Sequence, residues 1–257
     1  MFDSATLKNK LGIDHKYVIV DGLPSDLRYT GKDISAVYVR DLMFDEIKAL
    51  SLYLSKDNYD INQLATAYRD VVKITTKDGN QFDLIDLELA DFHYLVIVSS
   101  ILTDEGANWI VERPCVECEK PFEAKFSYAE IEYDADKDLV FPMKLLGTDK
   151  SIHPLLVKDY IVMLDDNVSK IRKQFNLPYD EATTKQLLSY ATSLEYSNLQ
   201  ELVDNINLIN SSPKNIAIVK DINKSSLITI KPFRHSCPHC NALNLYRYDF
   251  SVIRGYL

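Results

Sequence analysis

Cys115-Val116-Glu117-Cys118 and Cys237-Pro238-His239-Cys240 hold all four cysteines of this 257-residue chain, and their relation decides the reading of the fold. A C-x-x-C turn sets two sulfurs on one side of a tight knuckle. Two such knuckles supply the four thiolates of a tetrahedral zinc site. The flanks alternate as strands do. Asn108 to Arg113 enters the first knuckle, and Phe122 to Tyr128 leaves it. Leu227-Ile228-Thr229-Ile230 is expected to enter the second, and Leu243 to Phe250 to leave it. Two knuckled hairpins facing one cation make a zinc ribbon.

The knuckles stand 118 residues apart, so the ribbon is discontinuous. Closing such a loop costs roughly 4 kcal/mol. A structural zinc contributes about 10–16 kcal/mol of apparent binding energy at neutral pH, which outweighs that cost. Charge helps weakly: residues 111–140 sum to −5 and residues 226–257 to +3. A redox role for either pair would need a thioredoxin-like strand-to-helix setting, which neither has. Structural disulfides do not suit an intracellular protein. His235 and His239 flank the second knuckle, but four thiolates already complete a tetrahedron. A catalytic zinc keeps an open position, so one structural Zn2+ per chain held by Cys115, Cys118, Cys237 and Cys240 is expected.

Outward from the ribbon, the chain reads as α+β. Residues 1–107 form a mainly helical N-terminal region, 108–140 and 226–257 the zinc-ribbon β module, and 141–225 a helical insertion. In the first region a short helix is expected over Ala5–Leu11, with strands at Tyr17–Val20 and Ala36–Arg40. Helical stripes follow at Phe44–Leu54 and at Ile61, Leu64, Ala65, Tyr68, Val71 and Val72. A third helix, from about Leu87 to Leu102, is apolar on most sides and therefore central. The insertion carries one long stripe from Val157 to Phe175 and a second at Leu187, Leu188, Ala191 and Leu194. Ser197-x-x-Gln200 then opens a third helix as a capping box, and Ser211-Ser212-Pro213 returns the chain to the ribbon.

Composition excludes several functions. Glycine is scarce, 7 of 257, and neither glycine-rich phosphate-loop pattern occurs. The longest apolar stretch, Tyr94 to Leu102, is short of the roughly 20 residues a bilayer requires. No signal peptide opens the chain, so an intracellular, soluble protein is expected. The net charge of −9 repels phosphate backbones and disfavours nucleic acid in general. His93 in the apolar helix reads as structural. Asp134-x-Asp136-x-Asp138 lacks the glycine and the closing glutamate of a calcium loop and reads as a solvated acidic loop. No catalytic constellation is visible.

The loop Leu23-Pro24-Ser25-x-x-x-Tyr29, the strand Val37-x-Val39-Arg40, the helix Phe44–Leu54 and then the Cys115-x-x-Cys118 knuckle follow one another in an order that resembles the T4-type bacteriophage base plate protein family. The likeness covers most of residues 17–128 and the terminal ribbon. It implies a non-enzymatic role as a tail baseplate hub component or hub assembly factor. It places the protein in the host cytoplasm during assembly and in the virion tail baseplate. Its implied partners are other baseplate and hub proteins, docked through residues 20–40 and exposed helical faces, with Leu23, Pro24, Ser25, Tyr29 and Arg40 as contacts; further copies of the chain are also in play. The alternative is a zinc-ribbon nucleic-acid module using Lys231, Arg234, Arg247 and Arg254, with Tyr246 and Tyr248 as stacking platforms.

Overall fold

Three antiparallel strands begin the architecture: β1 (Val18–Val20), β2 (Ile34–Val39) and β3 (Val72–Thr76), in the order β1-β2-β3. The computed structural model describes residues 17–29, 34–55, 61–104, 108–136 and 139–249. The helix expected over Ala5–Leu11, as well as Phe250 and Arg254, lies outside them. Helices α1 (Phe44–Ser55) and α2 (Ile61–Ala67) pack on each other and share the sheet's core, and α3 (Leu89–Thr103) lies against β2 through the centre. The strand β3 corrects the helix expected to reach Val72. The stretch Val71-Val72-Lys73-Ile74-Thr75-Thr76 is rich in β-branched residues, and these favour a pleated surface. Ile61, Leu64, Ala65 and Tyr68 keep their inward helical spacing, and Val72 instead pairs with Val39.

Helix α3 is buried on nearly every side, with Phe92, Leu95, Val98 and Ile101 all inaccessible. Its two serines are satisfied locally. The hydroxyls of Ser99 and Ser100 donate to the Val96 carbonyl at 2.9 and 2.7 Å. One side of α3 packs on the sheet and α1–α2; Ile97 and Ile101 near its other end join the cluster of Trp109, Phe126 and Phe233.

The hairpin of the first knuckle follows as β4 (Asn108–Pro114) and β5 (Pro121–Ser127), paired from Asn108↔Ser127 to Pro114↔Pro121. Short strands β6 (Tyr133–Asp134), β7 (Met143–Lys144) and β8 (Ser151–Ile152) lead into the insertion. The expected long helix from Val157 to Phe175 is two helices, α4 (Val157–Val162) and α5 (Asp165–Gln174). They serve different cores, which explains the break. Val157 is buried with the sheet and α3, whereas Val168 and Ile171 are buried with α6 (Glu181–Ala191) and α7 (Leu199–Asn210).

Two further boundaries differ from expectation. Helix α7 is capped by Asn198, whose side chain accepts from Glu201 N at 3.0 Å; the Ser197 amide binds the Glu201 carboxylate instead. The expected return loop at Pro213 is the start of α8 (Pro213–Ser225), with proline at a first-turn position that needs no amide donor. Leu227–Ile230 does not enter the second knuckle. Thr229–Ile230 forms β9 against β6, Pro232 interrupts, and β10 (Phe233–Ser236) enters the knuckle and pairs with β11 (Leu243–Tyr246). Among the described residues no helix is long and apolar enough to cross a membrane.

Candidate metal centre

The two knuckles repeat one backbone design. Cys115 N donates to Lys120 O and Glu119 N to Cys115 O, both at 3.0 Å; Cys237 N donates to Ala242 O and Asn241 N to Cys237 O, both at 2.9 Å. In each turn the amide two residues on, Glu117 or His239, points at the first sulfur from 3.4 Å. The residue after each second cysteine is left-handed, Glu119 at φ 58° and Asn241 at φ 61°. Asparagine takes that conformation readily and glutamate at some cost, so the shared backbone was hidden by unlike side chains.

Hairpin packing brings the knuckles together. Trp109 and Phe126 lie against Phe233, with ring centroids 5.4 and 5.0 Å away, and Phe126 also meets Tyr246 at 5.3 Å. The sulfurs then pair across the knuckles, Cys115 with Cys240 at 3.6 Å and Cys118 with Cys237 at 3.7 Å. All four lie within 4.8 Å of one another. Tetrahedral thiolates on zinc, with Zn–S of about 2.3 Å, stand about 3.8 Å apart, which these spacings approach. They are far beyond the roughly 2.05 Å of a disulfide. The four cysteines therefore form a candidate metal site whose donor set fits a soft, tetrahedral cation such as zinc.

Electrostatics point the same way. The amides of Cys118 and Glu117 lower the Cys115 thiol to about 6. The Ala242 amide draws Cys240 down, but burial together with the Cys118, Cys115 and Cys237 sulfurs pushes it up to about 12. A cation among the sulfurs would offset the repulsion between neighbouring thiolates. Four thiolates would complete the shell of such a cation and leave no position for a substrate.

Asn244 is a residue the sequence reading missed. It is buried, accepts from Val116 N at 3.0 Å, and donates toward Cys115 Sγ at 3.6 Å and to Ala242 O at 3.0 Å. It thus ties the first knuckle to the second hairpin, as outer-shell groups of metal sites do. Its signal was a polar residue in the inward row of β11, beside Tyr246. His235 stacks near Phe122 and Phe126 and does not join the sulfur set; nor does His239.

The residues expected to dock partners lie elsewhere, and mostly inside. Leu23, Pro24, Ser25 and Arg40 are buried, and Tyr29 is half-buried. This corrects the docking expectation for them, because each is engaged within the chain. Ser25 donates through its amide at 2.8 Å and through its hydroxyl to the Asp91 carboxylate. The Tyr29 hydroxyl donates to Asp86 O and accepts from Glu88 N, both at 2.8 Å. Arg40 binds Glu46 at 2.9 Å and the Asp70 carbonyl at 3.1 Å. Arg28, in the same loop, reaches Glu88 at 3.1 Å, Asp136 O at 3.0 Å and Ser226 O at 2.9 Å. Its guanidinium lies 5.3 Å from the Phe141 ring centroid. The loop therefore clamps the start of α3 to both segments that lead to and from the insertion.

The proposed stacking platforms are occupied as well. Tyr246 is buried and Tyr248 packs on Trp109 with centroids 5.0 Å apart. Lys231 is 3.0 Å from Asp134. Arg234 and Arg247 remain exposed. His93 sits in the wall of an apolar cavity of about 490 Å3, 3.0 Å from the Tyr53 hydroxyl, and burial lowers its pKa. No family model, curated protein or solved structure matches the chain.

Proposed function

We propose that the chain is a non-enzymatic component or assembly factor of a contractile-tail baseplate hub, held together by one structural zinc in a discontinuous ribbon. The observation that carries the zinc part is the convergence of four sulfurs at near-tetrahedral spacing from hairpins far apart in sequence. A closed thiolate shell performs no chemistry on a substrate; it fixes the two arms of the chain against each other. The baseplate part rests on the order of motifs from Leu23 to Cys118. In this reading the protein works in the host cytoplasm during tail assembly, and hub partners meet its exposed faces rather than the Leu23–Tyr29 loop.

The test is quantitative mass spectrometry of purified particles of the encoding phage and of tail-assembly intermediates from infected cells. A few copies per particle mark a hub component. Presence in intermediates alone marks an assembly factor. A chain found in neither removes the baseplate reading.

A further inference from the structure

The ribbon is a two-layer module. Trp109, Phe122 and Phe126 of one hairpin meet Phe233 and Tyr246 of the other between the layers. Strand alternation then sends the remaining side chains to two outer faces that look away from each other. On the β10–β11 face, Leu243 and Leu245 are exposed at 55% and 61%, with Arg234 directly opposite Leu245 and the exposed Arg247 continuing the row. On the β4–β5 face, Ile110 is 43% exposed with the exposed Lys125 directly opposite it, and Glu112 follows with Glu123 directly opposite. Val116, Glu117 and Glu119 extend this surface over the knuckle beside Lys120, and four glutamates against Lys120 and Lys125 leave it net acidic.

Like charges directly opposite on paired strands repel. Glu112 and Glu123 form such a pair; Lys125, diagonal to Glu112 on the same face, sets one positive charge against their two, and a cation laid across them would relieve the remainder. The β10–β11 face offers two arginines beside two leucines. Its exposed apolar residues are aliphatic, with both nearby tyrosines turned inward, so it suits a protein surface better than nucleobases. We propose that copies of this chain associate head to tail through the ribbon, the Arg234–Leu243–Leu245–Arg247 face of one copy seating on the Ile110–Glu112–Glu123 face of the next. The two patches differ and lie on opposite sides of one module. The contact is therefore heterologous, and it builds a ring if the rotation closes or an open stack if it does not. This inference stands independently of the baseplate reading.

Sedimentation velocity on the zinc-loaded full chain, over a concentration series at low and high salt, tests it. The wild type is expected to form species larger than a monomer at low salt and to dissociate as salt rises. Arg234→Glu/Arg247→Glu gives a copy with two acidic faces, and Glu112→Lys/Glu123→Lys one with two basic faces. Each variant alone is expected to associate about tenfold more weakly or worse. Mixing the two restores association, because every contact again joins an acidic face to a basic one. The neutral Arg234→Gln/Arg247→Gln variant, which risks less in folding, is expected to fall between wild type and reversal. A wild type that stays monomeric throughout overturns the proposal. So does association unchanged by the reversals, or a monomer that instead binds oligonucleotides or acidic polypeptides through Arg234 and Arg247.

Discussion

Replacing Cys237 by serine is expected to release the metal and dissolve the ribbon. Cys237 is fully buried, lies 3.7 Å from Cys118 Sγ and receives the His239 amide. A serine hydroxyl does not serve as a thiolate ligand, so the site drops to three sulfurs. The zinc contribution of about 10–16 kcal/mol is as large as the whole stability of a typical domain, about 5–15 kcal/mol. What remains between the hairpins is the aromatic cluster around Trp109, Phe126 and Phe233. Hydrogen exchange should show protection lost across 108–127 and 233–246, together with loss of one zinc per chain. Chelation of the wild type should reproduce the pattern. Protection should persist in α5–α8, whose core of Val168, Leu188, Leu202, Ile206 and Val219 is separate from the ribbon. Acid acts in the same direction, since protons compete with zinc for the thiolates. A metal-free Cys237→Ser variant that keeps both hairpins protected would refute the clamp.

Arg28→Ala is the second large effect. The Arg28 and Glu88 side chains are only 14% and 5% exposed, and removing the cation strands a buried carboxylate. Breaking a buried pair in this way costs about 3–5 kcal/mol. Two backbone carbonyls, Asp136 O and Ser226 O, lose their donor at the same time. The loss should depend on pH. Burial pushes Glu88 up to about 7 even though Arg28 opposes the rise, and burial likewise raises Asp91 to about 7 against its hydrogen bonds from Ser25. Both values lie above those of the unfolded chain, so the folded state holds these protons more tightly. The stability contributed by protonation of these two carboxyls is complete below about pH 4 and is lost as pH rises through 7, where Glu88 ionises and comes to depend on Arg28. Urea unfolding of Arg28→Ala should therefore show a larger deficit at pH 8 than at pH 6. Glu88→Gln in the Arg28→Ala background should recover part of it. A deficit below about 1 kcal/mol at both pH values, the level of an exposed ion pair, would show that the clamp is not stabilising.

The cysteine cluster was legible because its signal is chemical and short-range. Two C-x-x-C pairs with alternating flanks point to paired hairpins wherever they fall in the sequence. Helix α3 was legible for a related reason, since an apolar surface on all sides leaves few places but the centre. Errors arose where a local pattern served two masters. The apolar spacing from Ile61 to Val72 satisfies a helix up to Tyr68 and a strand from Val72, and only the sheet decides where one ends. The stripe from Val157 to Phe175 is continuous in sequence but faces two cores in space. Pro213 reads as a loop until its role at a helix start is seen. The Leu23–Tyr29 loop was expected to dock partners only from the family resemblance. Its partners Glu88, Asp91, Asp136 and Ser226 lie 60 to 198 positions away, and no local pattern announces them.

X-ray absorption at the zinc edge, on the protein purified without added metal or chelator, tests the central claim most directly. The account predicts one zinc per chain with four sulfur neighbours at about 2.3 Å and no nitrogen or oxygen in the first shell. A shell containing histidine nitrogen or water, or a metal-free protein with its cysteines joined as disulfides, would contradict it.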